Sequence, residues 1–357
     1  MSGRLQLDGA APPRARRLLV YRYWGWSLGI TTALLILYRT HPYYVRILGS
    51  PNAPLPESRV QLALLLIYLA YLFVILSAPF RGDISKSRIL LVANLLESLP
   101  GRLRRYAWGP QPAYEGLVPL TPETRTALLS LVVKAFFLPI MLDFFLEHLA
   151  GLQQAGYRWM SSIGPPTLHM GLDVVIQLLF VVDTGIFVFG YAVESERLGS
   201  TIRSVEPTLL GWVVTLACYP PFNETTSQLL PTDAGYATLT HNATVLLFLR
   251  VLTVGLYFIY VWASVALGPR ASNLTNRGIV SWGPYAIVRH PAYIAKNLAW
   301  WLEKLPMMST PLHALSLLGF NTLYFLRALT EERHLRADPD YIAYCQKVRY
   351  RFIPGVF

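Results

Sequence analysis

The chain has 357 residues, of which 54% are hydrophobic and only 14% charged, and its mean hydropathy is +0.39. Soluble domains contain about 25% charged residues, so this composition excludes an ordinary soluble protein. A formal net charge of +11 would suit a nucleic-acid partner, but the basic residues are sorted along the chain as in a membrane protein, and we predict no nucleic acid. Cys218 and Cys345 are too few for a disulfide framework or a cysteine-rich metal site, and we predict no bound metal.

Apolar stretches close to 20 residues, the length that a helix needs to cross a bilayer, recur along the chain. They predict membrane helices near 24–40, 60–80, 126–149, 170–193, 208–221 and 242–267, followed by a C-terminal helical hairpin near 292–304 and 311–329. The segments 208–221 and 292–304 are short for a full crossing and are expected to be broken, tilted or interfacial. The sequence therefore predicts an all-α polytopic membrane protein with about eight membrane helices, two of them short or broken.

The distribution of basic residues predicts the orientation in the membrane. With a cytosolic N-terminus, 23 of the 31 Lys and Arg residues fall in cytosolic segments and 4 on the opposite side. Cytosolic connections of membrane proteins carry such an excess. We therefore predict that both termini are cytosolic, in a bacterial inner membrane or the endoplasmic reticulum. Residues 81–125, which are basic and rich in proline, are predicted to form a loop on the cytosolic membrane surface.

Five ionisable residues lie inside predicted membrane helices: Lys134, Asp143, Glu147, Asp173 and Asp183. A lone charge in the hydrocarbon costs at least about 2.5 kcal/mol, so such residues are usually paired or face a cavity. We expect Lys134 to pair with Asp173 or Asp183 of the next helix. A polar substrate cavity or a proton path in this part of the chain is the alternative.

Two polar clusters flank the C-terminal hairpin. The first contains Gly283-Pro284-Tyr285 and the corner Arg289-His290-Pro291, and the second contains Arg327, Glu331 and Glu332. Arg327 and Glu331 are four residues apart and therefore share a helix face. A hairpin brings both clusters to the same cytosolic side, where a carboxylate opposite the His-Pro corner would hold a small polar, cationic ligand. The aromatic hairpin between the clusters offers a route for a lipidic ligand.

These motifs together resemble the isoprenylcysteine carboxyl methyltransferase family and the related phospholipid methyltransferases. The resemblance covers residues 268–357 and consists of Gly-Pro-Tyr-x-x-x-Arg-His-Pro-x-Tyr, a hydrophobic hairpin, Arg-x-x-x-Glu-Glu-x-x-Leu and Tyr-x-x-Tyr-x-x-x-Val. It implies an integral membrane enzyme with a cytosolic pocket for S-adenosylmethionine, acting on a lipidic or prenylated acceptor. The implied organisation is an N-terminal transmembrane helical region, 1–240, and a methyltransferase-like membrane catalytic region, 241–357.

The resemblance also implies site residues, position by position. Its cofactor contacts fall on Arg277, Gly278, Ile279, Val280, Tyr285, Arg289, His290, Pro291, Ala292 and Tyr293, with Glu331 as the acidic contact. Arg327 matches the arginine placed near the substrate. A carboxylate acceptor would be oriented by a two-pronged contact with Arg327. An amine or thiol acceptor would need a base, for which Glu331 or Glu332 is the nearest candidate.

Three departures from the family pattern leave the acceptor open. Ala295 replaces a frequent Gly, Lys296 and Asn297 stand where the family is usually apolar or aromatic, and the connection that contains Pro339 is shorter than usual. One alternative is a NADPH-dependent sterol-type membrane reductase, whose C-terminal region is similar and in which Lys296 would meet a phosphate. The other is a non-catalytic lipid-binding or transport protein that has kept the scaffold.

Overall fold

The computed structural model describes residues 13–50, 52, 57–85, 87–108, 120–162, 167–229, 240–308 and 310–356. Within these residues the chain forms twelve α-helices and one pair of short strands, which confirms the predicted all-α architecture. The chain divides into two compact units, residues 1–132 and 133–357. The functional division predicted near residue 240 stays a prediction.

The first unit contains α1 (Pro13–Thr40), α2 (Pro42–Leu48), α3 (Arg59–Arg81) and α4 (Arg88–Trp108). The prediction of a loop over 81–125 is wrong for residues 88–108, because Leu90, Val92 and Ala93 bury one side of an amphipathic helix. Glu97 of α4 lies 2.6 Å from the guanidinium of Arg22 on α1. The arginines and the internal Pro100 in the sequence of this helix made it look like a loop. Residues 109–119 of the predicted loop lie outside the described residues.

The second unit begins within α5 (Pro122–Met160) and continues with α6 (Leu168–Ala192), β1 (Ser204–Val205), α7 (Leu209–Leu216), α8 (Phe222–Leu229) and α9 (Ala243–Leu267). It ends with β2 (Thr275–Asn276), α10 (Pro291–Lys304), α11 (Pro311–Leu335) and α12 (Pro339–Lys347). The two strands pair antiparallel, with Ser204 opposite Asn276 and Val205 opposite Thr275. This pairing joins the connection after α6 to the connection after α9.

Four helices among the described residues are long and apolar enough to cross a membrane: α3, α5, α6 and α9 with its extension to Arg270. They correspond to four of the predicted spans, and the integral membrane character is thereby confirmed. The predicted span at 208–221 is broken, because α7 has only eight residues and is about 12 Å long at 1.5 Å per residue. The 14 residues of α10 give about 21 Å, which is also short of the bilayer core.

The core of the second unit places α9 between α6 and α10. Ile176, Tyr257 and Ala299 form one buried cluster, and Tyr260, Val261 and Ala295 form another. Ala295 and Ala299 lie one turn apart on α10, and small residues at this spacing let two helices approach closely. The replacement of a frequent Gly by Ala295 therefore keeps the packing surface small.

Lys134, Asp173 and Asp183 have partners in the structure, but the arrangement differs from the predicted one. Lys134 lies 2.6 Å from Glu194, just beyond the end of α6, so the prediction that it pairs with Asp173 or Asp183 is wrong. Asp173 lies 2.6 Å from Arg250 of α9. Asp183 is buried and accepts hydrogen bonds from two hydroxyl groups of α9. The sequence indicated that charged residues in these helices need partners. Which carboxylate Lys134 reaches depends on how α5 and α6 are placed against each other, and this is not visible in the sequence.

Candidate functional site

The His-Pro corner is fixed by the start of α10 and by the C-terminal tail. Pro291 occupies the first position of α10, where its missing N–H costs no helical hydrogen bond. The backbone N–H of Arg289 donates to the carbonyl of Tyr350 at 3.0 Å, and that of His290 donates to the carbonyl of Arg351 at 2.9 Å. The tail therefore lies against the corner and holds its backbone.

Glu332 of α11 is the carboxylate that faces this corner, and it is 2% exposed. Its Oε1 lies 3.2 Å from Arg289 Nη1 and 3.3 Å from His290 Nε2, and its Oε2 lies 3.0 Å from Arg351 Nε. Burial raises the pKa of Glu332, but the hydrogen bond from His290 and the charges of His290 and Arg289 lower it further, so this pKa lies below its usual value. Glu332 is an ionised centre that joins α11, the corner and the tail.

Glu331 belongs to a different environment from its neighbour. The imidazole of His290 stacks on the ring of Tyr293, with 5.4 Å between ring centres and 11° between planes. The hydroxyl of Tyr293 donates to Oε2 of Glu331 at 2.7 Å. A chain of contacts through His290 and Tyr293 therefore connects Glu332 to Glu331.

A polar cavity of about 40 Å³ opens beside Glu331. Its walls come from α11, from the segment around β2, from α10, from the stretch after β1 and from α7: Arg327, Thr330, Glu331, His334, Leu335, Ser272, Asn273, Leu274, Thr275, Tyr293, Glu206 and Thr215. Within the described part of the chain, neither Arg327 nor Glu331 is paired with a residue of opposite charge. The cavity therefore presents one cation and one anion to a ligand.

Arg327 is held at the cavity by aromatic rings. It is 7% exposed, and its guanidinium donates a hydrogen bond to Oδ1 of Asn273. Its Cζ lies 5.3 Å from the ring centre of Tyr293, 5.7 Å from that of Tyr219 and 5.8 Å from that of Tyr324. Guanidinium groups are attracted to aromatic faces at these distances. Arg327 is therefore pre-positioned, as a residue that orients a ligand needs to be.

An apolar groove of about 350 Å³ lies between α10 and α11. Its walls are Tyr293, Ile294, Asn297, Leu298, Trp301, Leu318, Asn321, Thr322, Tyr324, Phe325 and, from the tail, Phe352. The predicted hairpin is present: Trp301 Nε1 donates to Oδ1 of Asn321 at 2.6 Å, and Nδ2 of Asn321 donates to Oδ1 of Asn297 at 2.5 Å. Tyr293 lines both the groove and the polar cavity, so the two meet at one side chain.

The residues that the resemblance implies as cofactor contacts separate into two groups in the structure. Tyr293 and Glu331 line the polar cavity together with Arg327. Arg289, His290 and Pro291 lie behind Tyr293 at the corner, and Ala292 packs on the cluster of Tyr260, Val261 and Ala295. The first group therefore lies at the start of α10 and the end of α11, and its role in cofactor binding stays a prediction.

The second group lies along the segment that follows β2 and contacts other parts of the unit. Arg277 is 3% exposed and donates to the carbonyls of Gly190 at 2.6 Å and Ser200 at 3.3 Å. Gly278 has a positive φ of 96° and lies against the guanidinium of Arg203. Val280 is buried, and Ile279 and Tyr285 pack on a cluster of Tyr341, Tyr344 and Val348. These contacts favour a supporting role for Arg277, Gly278, Ile279, Val280 and Tyr285.

Among the cavity residues that were not predicted from the sequence, three carry a carboxylate, an amide or an imidazole. Glu206 is buried and lies 3.0 Å from Arg333 Nη2, and no local pattern marks it, because it is far from the motifs in sequence. Asn273 is placed beside Arg327 by the connection after α9. His334 lies three residues after Glu331, so helical periodicity alone could have placed it on the same side of α11.

The fold and this site define an all-α integral membrane protein in which a polar cavity adjoins an apolar groove of the C-terminal hairpin. Residues 237–337 match the sequence model of the Isoprenylcysteine carboxyl methyltransferase (ICMT) family. The match confirms the resemblance seen in the motifs and supports a membrane methyltransferase as the class of protein. It includes Arg327 and Glu331 and leaves out Glu206. Comparison with curated proteins gives no significant match.

Proposed function

We propose that this protein is an integral membrane methyltransferase that transfers the methyl group of S-adenosylmethionine to a lipidic or prenylated acceptor at the cytosolic face. The observation that carries the proposal is that the polar cavity and the apolar groove meet at Tyr293. A charged, water-soluble cofactor and a lipid acceptor need two such neighbouring environments. The family match over residues 237–337 supports the same reaction class.

The side chains of the polar cavity suit S-adenosylmethionine. The carboxylate of Glu331 can hold a hydroxyl or ammonium group. The cavity is small, about 40 Å³, so it would take one polar group of the cofactor and not the whole molecule. When bound, the cofactor supplies an electrophilic methyl group, while Glu332 and His290 keep Tyr293 in place.

Arg327 is the residue that we assign to the acceptor. Orientation of two reactants removes a large part of the barrier to their reaction, and Arg327 is already fixed by Asn273 and three tyrosine rings. It can bind a carboxylate acceptor through two parallel hydrogen bonds. Glu332 is poorly suited as a base because Arg289, His290 and Arg351 stabilise its ionised form. Glu331, unlike Glu332, lines the polar cavity.

The cytosolic side is proposed from the distribution of charge. The corner at Arg289 and the end of α11 both lie in segments that the excess of Lys and Arg assigns to the cytosol. S-adenosylmethionine is a cytosolic metabolite, so a cavity on that face would be supplied directly.

The reductase alternative loses the contact that motivated it. Nζ of Lys296 lies 5.2 Å from the ring centre of Tyr260 and 5.3 Å from that of Trp300. Lys296 is therefore directed into the packing of α9 against α10, and it lines neither the polar cavity nor the apolar groove. A non-catalytic lipid-binding protein would use the groove alone. A measurement of cofactor binding therefore distinguishes it from a methyltransferase.

A thermal-shift titration of the purified protein in detergent tests this proposal. We expect S-adenosylmethionine to raise the melting temperature and NADPH to leave it unchanged, because a ligand that binds only the folded state stabilises it. Glu331→Gln should weaken cofactor binding about tenfold or more, since hydrogen bonds to charged groups contribute about 1.5–3 kcal/mol. Arg327→Ala should bind the cofactor almost normally but fail to transfer the methyl group.

The matched control is Glu196→Gln, which changes an exposed carboxylate in the turn after α6 and should leave binding unchanged. A response to NADPH without one to S-adenosylmethionine would support the reductase. A protein that responds to neither compound would favour the non-catalytic alternative.

A further inference from the structure

His334 presents an imidazole to the polar cavity that no step described so far uses. It lies on α11 one turn beyond Glu331 and is 8% exposed. Its Nε2 lies 2.8 Å from Oγ of Ser204 on β1. Its Nδ1 makes no hydrogen bond to another residue in the described part of the chain. Nε2 is therefore engaged by Ser204, and Nδ1 is left for a ligand.

The surroundings of His334 keep the imidazole neutral. Burial lowers its pKa, the negative charges of Glu206 and Glu331 oppose this effect, and the positive charge of Arg333 adds to it, so the pKa lies below its usual value. Glu206 lies in the stretch after β1, and Glu331 and Arg333 lie on α11. The uncharged Ser204 of β1 also contacts the imidazole. A neutral imidazole can accept a proton at pH 7, when most histidines with an ordinary pKa of about 6.5 are also largely neutral.

We propose that His334 is the general base for an acceptor whose nucleophilic atom carries a proton, namely an amine or a thiol at the polar end of a lipid. This inference rests on the proposed methyl transfer and names the class of its substrate. Ser204 is the positioning residue, because its hydroxyl fixes the imidazole in the plane that the hydrogen bond requires.

The chemistry of the acceptor explains why a base is present. A carboxylate is already ionised at pH 7 and has lone pairs to donate, so it needs no proton acceptor. An alkyl amine is mostly protonated at this pH and has no free lone pair until a base removes a proton. The proton goes to the imidazole, the freed lone pair forms the bond to the methyl carbon, and the sulfur of the methyl donor keeps the electron pair of the broken bond.

The other candidate bases are engaged elsewhere. Glu332 is surrounded by Arg289, His290 and Arg351. Glu331 accepts the hydroxyl of Tyr293 and is assigned to the cofactor. Glu206, which also lines the cavity, is held by Arg333 and Thr208. Nδ1 of His334 is thus the atom that we assign as the proton acceptor.

The first experiment measures methyl transfer from tritiated S-adenosylmethionine by the full chain in detergent. Three probes share a long apolar chain and differ in the nucleophile: dodecylamine, dodecanethiol and N-acetyl-S-farnesylcysteine, which offers a carboxylate. For the amine or thiol we expect His334→Gln to lower kcat about 10²–10⁴-fold, the usual contribution of a general base, with KM nearly unchanged. The decline of kcat/KM as pH falls below about 6.5 should disappear in the same variant.

His313→Gln is the matched control, because His313 lies on the same helix but outside the polar cavity and the apolar groove. Ser204→Ala provides a second variant in case His334→Gln folds poorly. Ser204→Ala keeps the imidazole of His334 but removes the hydroxyl that orients it, so this variant should reduce kcat less than His334→Gln does. The response of the amine probe or of the thiol probe identifies the acceptor.

The second experiment needs no cofactor. In protein with isotopically labelled histidine, NMR should show His334 titrating below pH 6.5, and dodecylamine or dodecanethiol should shift its ring signals. Transfer to the carboxylate probe alone, at the same rate in His334→Gln, would overturn this inference and leave the proposed function intact. Absence of both cofactor binding and transfer to any probe would overturn the proposed function itself.

Discussion

Adjacent residues of an α-helix point about 100° apart, and at Glu331 and Glu332 this angle separates two tasks. Glu331 faces the polar cavity and accepts a hydrogen bond from Tyr293. Glu332 is buried among Arg289, His290 and Arg351. The motif Glu-Glu therefore combines one residue available to a ligand with one that assembles the site.

Loss of the Glu332 charge should destabilise the fold. In Glu332→Gln the buried cations around the corner lose their counter-charge, and breaking a buried ion pair from one side costs about 3–5 kcal/mol. Denaturant unfolding in detergent micelles measures this change. Glu331→Gln is the neighbouring control and should leave the free energy of unfolding nearly unchanged. Equal stability of the two variants would contradict the role given to Glu332.

The sequence located some of these residues but did not distinguish their roles. The spacing of Arg327 and Glu331 showed that they share a helix face, and both line the cavity. The choice between Glu331 and Glu332 depends on how α11 is rotated against α10, which no spacing within one helix contains. Glu206 was missed because only the pairing of β1 with β2 brings its connection to the cavity.

At the scale of elements, the C-terminal hairpin is joined by side-chain amides. Asn321 links Trp301 and Asn297 across α10 and α11. Hydrogen bonds between helices in membranes contribute about 0.6–2 kcal/mol. Asn297, which departs from the apolar pattern of the family, is therefore explained by a partner on the facing helix.

We expect Asn321→Leu to destabilise the protein by about 1–2 kcal/mol, because Trp301 and Asn297 lose their partner. The double variant Asn297→Leu with Asn321→Leu should recover part of this loss, since replacing both partners leaves fewer unpaired polar groups. Denaturant unfolding of the two single variants and the double variant measures the coupling. Thr322→Val is the control, because its hydroxyl bonds within α11. Additive effects of the two asparagine substitutions would show that the amides are not coupled.

Element prediction succeeded where an apolar stretch was long and continuous. The runs behind α3, α5, α6 and α9 exceed the length of a crossing, so hydropathy alone identified them. It missed α4, whose burial of Leu90 and Ala93 depends on an amphipathic face that Pro100 and several arginines obscure. Hydropathy predicted where α7 begins but not where it ends, because the predicted segment runs to residue 221 and α7 stops after eight residues.

At the scale of the whole molecule, the excess of basic residues predicts which ends of the helices face the cytosol. Single cysteines at Tyr157, Glu196 and Trp282, in a background lacking Cys218 and Cys345, test this in sealed spheroplasts. All three positions are exposed. A membrane-impermeant maleimide should label only position 157, which follows the predicted cytosol-to-outside crossing of α5. Labelling at 196 and 282 without 157 would invert the orientation.

One wall of the polar cavity, formed by Glu206 and Thr215, is encoded before the segment that matches the methyltransferase family. Tyr293, Arg327 and Glu331 and the residues that complete the opposite wall therefore lie on separate stretches of the chain. Changes at Glu206 and Thr215 would therefore alter this wall, and with it the ligands that fit the cavity, while the helices that carry Tyr293, Arg327 and Glu331 stay as they are. For protein engineering, this wall is the natural place to begin a library.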